Sequence, residues 1–461
     1  MLYPIPMLCQ TKLLSFFAAW LCFLPVCAAQ SGNNICTVVR KPTQDSFCGD
    51  PLLPANALCR ELPHDVNFKQ ILAGYSTILP VCQQPFDYFG WQTFVALNWP
   101  PDDLSKPRPW ELYEDPAAIF DPVTFATMAG AVKAAGATPG MKILYRMAKE
   151  TVLPGEHPSP FLEATGQPLI DRNLNFTLYE VRINPVWVNY VVKTAKLTTL
   201  KEQQAFVNAH HMVSFPAGHY TNDAKGTGGE VGAMEIKAAW RILDPSKGDK
   251  PERYYTRHAT IFIAGGNTVS GKALVIKDAL VGLVAMHINV MTADGEGSVW
   301  PTFEQEDNAP QKNATSGSKV YSYYNAACKN CTVNTPPALI DGEKTWKWGM
   351  TAPYAQRYAI NGKYGTQVVI AEPIFDETEK ANHRWREKLG NSVWSHYRLV
   401  GTQWTNHEVH PPAGIPPVLG NGVLETYIQP TSTCIGCHGS AQLNTTPPAS
   451  ANFSFLLGKA H

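Results

Sequence analysis

Apolar residues at near-helical spacing predict helices over much of the chain. In segment 85–98, Phe86, Phe89, Phe94 and Leu97 recur at this spacing behind Pro85, a residue that suits a first helical turn. This stripe could line a binding crevice, but an ordinary core face is the simpler interpretation. Further helices are predicted at 67–79, at 122–135, from about Pro185, and after two capping-box patterns, Thr199-Leu-Lys-Glu202 and Asp376-Glu-Thr-Glu379, the second helix ending at Gly390.

Alternating, β-branched segments with Gly-rich breaks predict long antiparallel strands at 231–243, 254–264 and 274–290, and another strand at 393–404. Alternation within 274–290 places two sets of side chains on opposite faces: Gly282, Val284, Met286, Ile288 and Val290 on one, and Leu283, Ala285, His287 and Asn289 on the other. The run 411–422 is rich in Pro and Gly and is predicted to be an irregular linker. The expected fold is α+β. A body with a central antiparallel sheet, peripheral helices and a disulfide-rich N-terminal part spans 30–410, and a short C-terminal segment spans 423–461.

The N-terminal residues have the pattern of a signal peptide. Residues 13–26 form an apolar run, Lys12 is the one charge before it, and Ala28-Ala29 offers small residues for cleavage near Gln30. About 14 apolar residues are too few to cross a bilayer core of ~30 Å. We therefore expect residues 1–29 to be removed, a mature protein in the periplasm or secreted, and no membrane span after cleavage.

Charge and cysteine content agree with export. Without Lys12 the chain has 37 basic and 38 acidic residues, a balance that argues against nucleic acid or an anionic membrane as a partner. Eight cysteines remain in the mature chain, namely Cys36, Cys48, Cys59, Cys82, Cys328, Cys331, Cys434 and Cys437. An even set of cysteines is typical of compartments where disulfides persist.

The segment Cys434-Ile-Gly-Cys437-His438 matches C-x-x-C-H, the attachment signature of c-type haem. Two thiols on one helical turn can each add to a haem vinyl group, and the adjacent imidazole becomes the proximal ligand of the iron. Gly436 would let the backbone lie close to the porphyrin. One covalent haem at Cys434, Cys437 and His438 is the central prediction.

The other cysteine pair of this spacing, Cys328 and Cys331, is followed by Thr332 and lacks the imidazole. A local disulfide is the favoured interpretation. The alternative is a zinc site built from Cys328, Cys331, Cys434 and Cys437, which leaves His438 unexplained. The four N-terminal cysteines could form two disulfides of unknown connectivity.

The sixth iron ligand decides the reaction, because a six-coordinate haem transfers electrons and a five-coordinate haem has an open face for substrate. No Met occurs among the 23 residues after His438, so a distal ligand is expected from the upstream body. His287 is the best candidate for a distal iron ligand, ahead of Met286, Met350, His407 and His410. An open position would need an acid–base group, for which Glu304, Glu306 and Asp307 are candidates, although a solvated acidic turn is the simpler interpretation.

The haem motif resembles that of the bacterial c-type cytochrome superfamily. Segments 86–100 and 300–305, together with Cys328-x-x-Cys331, are similar to long exported mono-haem proteins of the cytochrome c family. This resemblance implies haem and export. The leading hypothesis is a periplasmic electron carrier with a redox partner protein. Alternatives are a peroxidase- or oxygenase-type haem oxidoreductase acting on a small molecule, and a secreted binding protein in which haem is a sensor or a structural element.

Overall fold

The structure is a computed structural model that describes residues 58, 60–66, 83–138, 140–146, 165–221, 229–293, 297–312, 319–406 and 413–461. Several predictions lie outside these residues: the signal peptide, the helix at 67–79, and the residues Cys36, Cys48, Cys59, Cys82, His407 and His410. Within the described part, the predicted α+β class is confirmed, with helices arranged around an eight-stranded sheet.

The described α-helices are α1 (Gln83–Leu97), α2 (Pro116–Phe120), α3 (Pro122–Ala134), α4 (Pro185–Asn189), α5 (Leu200–Asn208), α6 (Asp376–Leu389) and α7 (Cys434–His438). A π-helical turn, Tyr190–Thr194, continues α4. Short 3-10 helices lie at Pro109–Leu112, Pro245–Lys247, Pro251–Arg253, Gly265–Asn267, Gln356–Tyr358, Val393–His396, Gln429–Thr431 and Phe455–Lys459.

The strands are β1 (Lys142–Arg146), β2 (Leu178–Ile183), β3 (His219–Tyr220), β4 (Gly229–Glu230), β5 (Met234–Ile242), β6 (Thr256–Ile263), β7 (Leu274–Thr292), β8 (Gly297–Gln305), β9 (Tyr397–Asn406) and β10 (Ala413–Ile415). The long strand β7 pairs antiparallel with β5, β6 and β8, and the order continues from β8 to β9 and β10. β2 pairs antiparallel with β5, whereas β1 pairs parallel with β6. The sheet is therefore mixed rather than wholly antiparallel, and β3 and β4 form a separate pair.

Helices α1 and α6 cover one face of this sheet. Phe86 of α1 stacks on Trp404 of β9 with ring centroids 3.7 Å apart, and Phe94 stacks on Phe303 of β8 at 4.1 Å. A Cβ on Gly90 would lie 2.8 Å from the Pro301 Cβ, so the close approach of α1 to β8 requires glycine. The aromatic stripe of α1 is a core face, as the simpler interpretation predicted.

The residues after β10, 416–461, form the C-terminal segment of the structure and lie against the opposite face. Because side chains alternate along a strand, Trp300 and Thr302 of β8 point away from Phe303. Trp300 contacts His438, and the Thr302 hydroxyl accepts a hydrogen bond of 2.9 Å from the Asn421 side chain. The C-terminal segment thus docks on the sheet face that the two helices leave free.

Most predicted elements match the structure, but β8 is an additional strand, and a register shift in β7 places Leu283 in the same core as Met286, and Val284 on the other face. Three further predictions also differ. The run 411–422 is not wholly irregular, because Ala413–Ile415 pairs with β9. Residues 393–396 form a 3-10 helix, and the predicted strand begins at Tyr397. Helix α6 is capped by Phe375 without a side-chain bond, so the expected Asp376 capping box is absent there, whereas the Thr199–Glu202 box is formed.

A helix that crosses a bilayer core needs about 20 predominantly apolar residues. Among the described residues, no helix combines the necessary length with the necessary apolarity.

Candidate functional site

The C-x-x-C-H residues form one helical turn, α7, at the surface of the C-terminal segment. Thr433 is its N-cap, and the Thr433 hydroxyl accepts a hydrogen bond of 3.2 Å from the Gly436 amide. A Cβ on residue 436 would lie 2.5 Å from the Thr433 Cγ2. Glycine at this position therefore preserves the N-cap of the turn. This is a local reason for glycine, in addition to the predicted close approach of the backbone to a porphyrin.

Gln403 fastens this turn to the sheet. Its Oε1 accepts hydrogen bonds from the Ile435 amide at 2.8 Å and from the Thr433 hydroxyl at 3.2 Å. Its Nε2 donates to the Pro416 carbonyl at 2.6 Å. One fully buried amide side chain on β9 thus bridges two parts of the C-terminal segment.

The His438 imidazole is oriented as a metal ligand would be. Its Nδ1 lies 2.8 Å from the Phe453 carbonyl oxygen, and because a carbonyl only accepts, Nδ1 carries the proton. The lone pair is therefore on Nε2, which no hydrogen bond engages among the described residues. The Trp300 and Phe455 rings lie 4.2 and 4.9 Å from the imidazole, centroid to centroid.

Burial lowers the pKa of His438 to about 4, against the opposing effect of the Phe453 hydrogen bond. The ring is consequently neutral near pH 7, which is the form that binds a metal. A donor bond to a backbone carbonyl is the usual second contact of a ligating histidine.

Cys434 and Cys437 are free thiols at the start and near the end of this turn. Cys434 is buried beside Trp300, Val400, Leu419 and Phe453, whereas Cys437 is exposed. Burial, reinforced by the nearby Glu425 charge, raises the pKa of both thiols. Two free thiols, an apolar surround and a neutral imidazole with a free Nε2 fit the donor set of a covalent haem.

His287 lies on the face of β7 that the C-terminal segment covers. It pairs across the sheet with Lys237 of β5 and Thr302 of β8. Its Nε2 lies 2.7 Å from Oε1 of Glu425, and the backbone amide of Asn421 donates to Oε2 of Glu425 at 3.0 Å. The sheet therefore brings His287 to the segment that carries the motif.

The other distal candidates are placed differently. Met286 points to the opposite face and belongs to the main core, as the simpler interpretation predicted. The sulfur of Met350, a loop residue, accepts a hydrogen bond of 3.1 Å from the Ser270 hydroxyl. Neither methionine is brought to the motif by the contacts of the described residues.

The interpretation of Glu304, Glu306 and Asp307 as a solvated turn is wrong for Glu304, whereas Glu306 and Asp307 do lie in a turn but are largely shielded from solvent. Glu304 lies in β8, is buried, and pairs with Arg398 at 2.6 Å. Glu306 pairs with Arg253 and Arg386, and Asp307 pairs with Arg253 and Lys319. Their partners are far away in the sequence, so these carboxylates are structural ion pairs rather than free acid–base groups.

Cys328 and Cys331 form the predicted local disulfide. Their sulfurs are consequently not available for the alternative zinc site. Among the described residues, no cluster of three or more His, Cys, Asp or Glu side chains has an arrangement that could hold a metal ion.

Sequence reasoning missed Gln403, Glu425 and the Phe453 carbonyl as parts of this site. Each acts through a contact with a residue 15 to 138 positions away, and no local pattern marks them. Trp300 was noted only as part of a longer segment, and its contact with His438 depends on the docking of the C-terminal segment on β8.

Comparison with known proteins adds no assignment to these contacts: no family model, curated protein or solved structure matches the chain.

Proposed function

We propose that the protein is an exported mono-haem c-type cytochrome whose haem is bound covalently by Cys434 and Cys437, with His438 as the proximal iron ligand. The observation that carries this proposal is the geometry of one turn. Two free thiols share it with an imidazole whose Nδ1 is held by the Phe453 carbonyl and whose Nε2 is left for a metal.

The chain's own residues have three tasks at this site. Each thiol adds across a vinyl group, so that sulfur forms a thioether and the thiol hydrogen passes to the vinyl carbon, with no change of electron count. Thr433 and Gln403 keep the turn in place during this addition. Trp300, Leu419 and Phe453 exclude water from the buried side of Cys434.

Electron transfer is the role that we propose for this centre. When bound, haem supplies one-electron chemistry through its iron. Cys437 is exposed, so the attachment edge of the site faces solvent. Such an edge gives a redox partner protein a short route to the cofactor. We propose the periplasm as the compartment, on the sequence pattern of export.

A haem oxidoreductase of peroxidase or oxygenase type is the second candidate. The observation in its favour is the buried polar pair of His287 on the sheet and Glu425 on the segment that covers it. A buried acid–base pair beside an open iron position would suit chemistry on peroxide or dioxygen. The coordination of the iron separates the two candidates.

Absorption spectroscopy of the full chain, made in a host competent for haem loading, tests the proposal. We expect a pyridine haemochrome of c type and a spectrum that changes reversibly with dithionite and ferricyanide. The double variant Cys434→Ser and Cys437→Ser should lose both signals. The matched variant Cys328→Ser and Cys331→Ser, which removes the other pair of the same spacing, should keep both. A haem-free wild-type protein, or equal loss in both double variants, would contradict the proposal.

A further inference from the structure

The buried pair His287–Glu425 has a polar atom without a partner. His287 is only 7% exposed, and its Nδ1 makes no hydrogen bond among the described residues. Buried polar atoms are nearly always hydrogen-bonded or bound to a ligand, so the free Nδ1 of this ring is a candidate ligand atom.

The hydrogen bond to Glu425 fixes which ring nitrogen is free. Nε2 of His287 lies 2.7 Å from Oε1 of Glu425, so the carboxyl engages that nitrogen and leaves Nδ1 as the ring atom without a partner among the described residues. A neutral imidazole that donates from Nε2 keeps its lone pair on Nδ1.

His287 also lies on the sheet face that the motif contacts. Its cross-strand partner on β8 is Thr302, and Trp300, two residues from Thr302 on the same face of β8, lies 4.2 Å from the His438 ring, centroid to centroid. Glu425 and the attachment turn both belong to the C-terminal segment that covers this face. The pair and the turn are therefore neighbours on one face of β7 and β8.

A histidine held by a carboxylate at one nitrogen and by a metal at the other is a common arrangement in metalloproteins. We infer that the ring nitrogen that Glu425 leaves free is the second axial ligand of the haem bound at Cys434, Cys437 and His438, with Glu425 as the positioning residue. This inference rests on the proposed function. It makes the centre six-coordinate and favours electron transfer over catalysis at an open iron.

The alternative is that His287 and Glu425 form an ion pair that only stabilises the fold. The chain offers a matched control for it on the same sheet. His258 of β6 makes a similar contact, Nδ1 to Asp278 at 2.6 Å, but this pair is exposed. Replacing His258 tests whether any loss of a histidine–carboxylate pair has the effect expected of His287.

The test compares the full wild-type chain with His287→Ala, His287→Gln, Glu425→Gln and His258→Ala. The intact mass of each protein first reports whether haem is attached. The ferric spin state, from absorption and paramagnetic resonance spectra, then reports coordination, together with carbon monoxide binding to the ferrous protein. His287→Gln keeps a hydrogen-bond donor for Glu425, so it tests the loss of the imidazole even where His287→Ala does not fold.

We expect wild type and His258→Ala to be low-spin and unresponsive to carbon monoxide. Both His287 variants should keep the haem mass but become high-spin and bind carbon monoxide stoichiometrically, and added imidazole should restore the low-spin spectrum of His287→Ala. Glu425→Gln should stay low-spin with a higher midpoint potential, because a neutral amide stabilises ferric iron less than a carboxylate does.

Two results would overturn the inference while leaving the covalent haem intact: a loaded wild type that is high-spin and binds carbon monoxide, or loaded His287 variants that remain low-spin. A wild type without the haem mass would instead overturn the proposed function, and the axial ligand with it.

Discussion

Replacing Gln403 by alanine tests how the attachment turn is fastened to the sheet. The substitution removes the acceptor of the Ile435 amide and the donor to the Pro416 carbonyl, both of which are buried. It also removes the weaker bond from the Thr433 hydroxyl, a group that can turn to other partners. Each of the two buried backbone groups left unpaired costs about 1–3 kcal/mol. We therefore expect opening of the turn to become easier by about 2–6 kcal/mol.

Hydrogen exchange of the full chain, followed by mass spectrometry of the peptide that contains Thr433 to His438, measures this opening. A change of about 2–6 kcal/mol corresponds to exchange that is roughly 30- to 20,000-fold faster. Gln367→Ala is the matched control, because Gln367 is also buried and bonded through both side-chain atoms, to Asn325 and Gly365. Exchange at the turn that stays within threefold of wild type in Gln403→Ala, or that rises equally in the control, would refute the reasoning.

Three further predictions concern other parts of the site and fold. Gly436→Ala should destabilise the turn by about 1–2 kcal/mol, because the new Cβ would displace the capping Thr433 side chain. Hydrogen exchange of the same peptide measures this loss, and unchanged exchange would contradict the prediction. The double variant Cys328→Ser and Cys331→Ser should lower the free energy of unfolding by no more than about 2 kcal/mol, because the disulfide closes a very short loop. Denaturant titration measures the free energy of unfolding, and a larger loss would contradict the prediction. Burial raises the pKa of Asp87 from 3.8 to about 7, against hydrogen bonds from Thr378 and Gln83. The native state therefore binds the proton more tightly than the unfolded state, and the contribution of Asp87 to stability is lost as pH rises from about 4 to 7. Denaturant titrations across this range should show a smaller decline in Asp87→Asn than in wild type, and equal slopes would argue against the assignment.

The sequence predicted the fold best where one face of an element is apolar. The spacing of Phe86, Phe89 and Phe94 predicted α1, and alternation predicted β7 together with the face on which His287 lies. In both cases the pattern of apolar residues reflects burial of one face of the element against the core.

Strand β8 was not predicted, because the carboxylates Glu304, Glu306 and Asp307 were interpreted as an acidic turn. Pro301 also makes the segment an unusual strand, since proline cannot donate to a strand ladder. In the structure, β8 pairs with both β7 and β9, and the residue pairs with β7 lapse between His287–Thr302 and Val290–Val299. The ladder therefore accommodates the proline by an interruption next to it. The charges of this region, such as Glu306, find arginines from distant elements, which a local pattern does not indicate.

The attachment turn was predictable because its chemistry depends on local spacing. Cys434, Cys437 and His438 are recognised from five consecutive residues. The partners that orient them, Gln403 and the Phe453 carbonyl, are specified by tertiary contacts and carry no local signal. The haem-attaching residues are therefore recognisable from a local motif, whereas the residues that orient them are brought to the site only by folding.

The intact mass of the denatured protein tests the central claim most directly. The full chain is made in a host competent for haem loading, unfolded in acid, and weighed after non-covalent ligands have been removed. The account predicts the mass of the mature polypeptide plus one haem, and loss of that increment when Cys434 and Cys437 are both replaced by alanine. A wild-type mass equal to that of the polypeptide alone would contradict it.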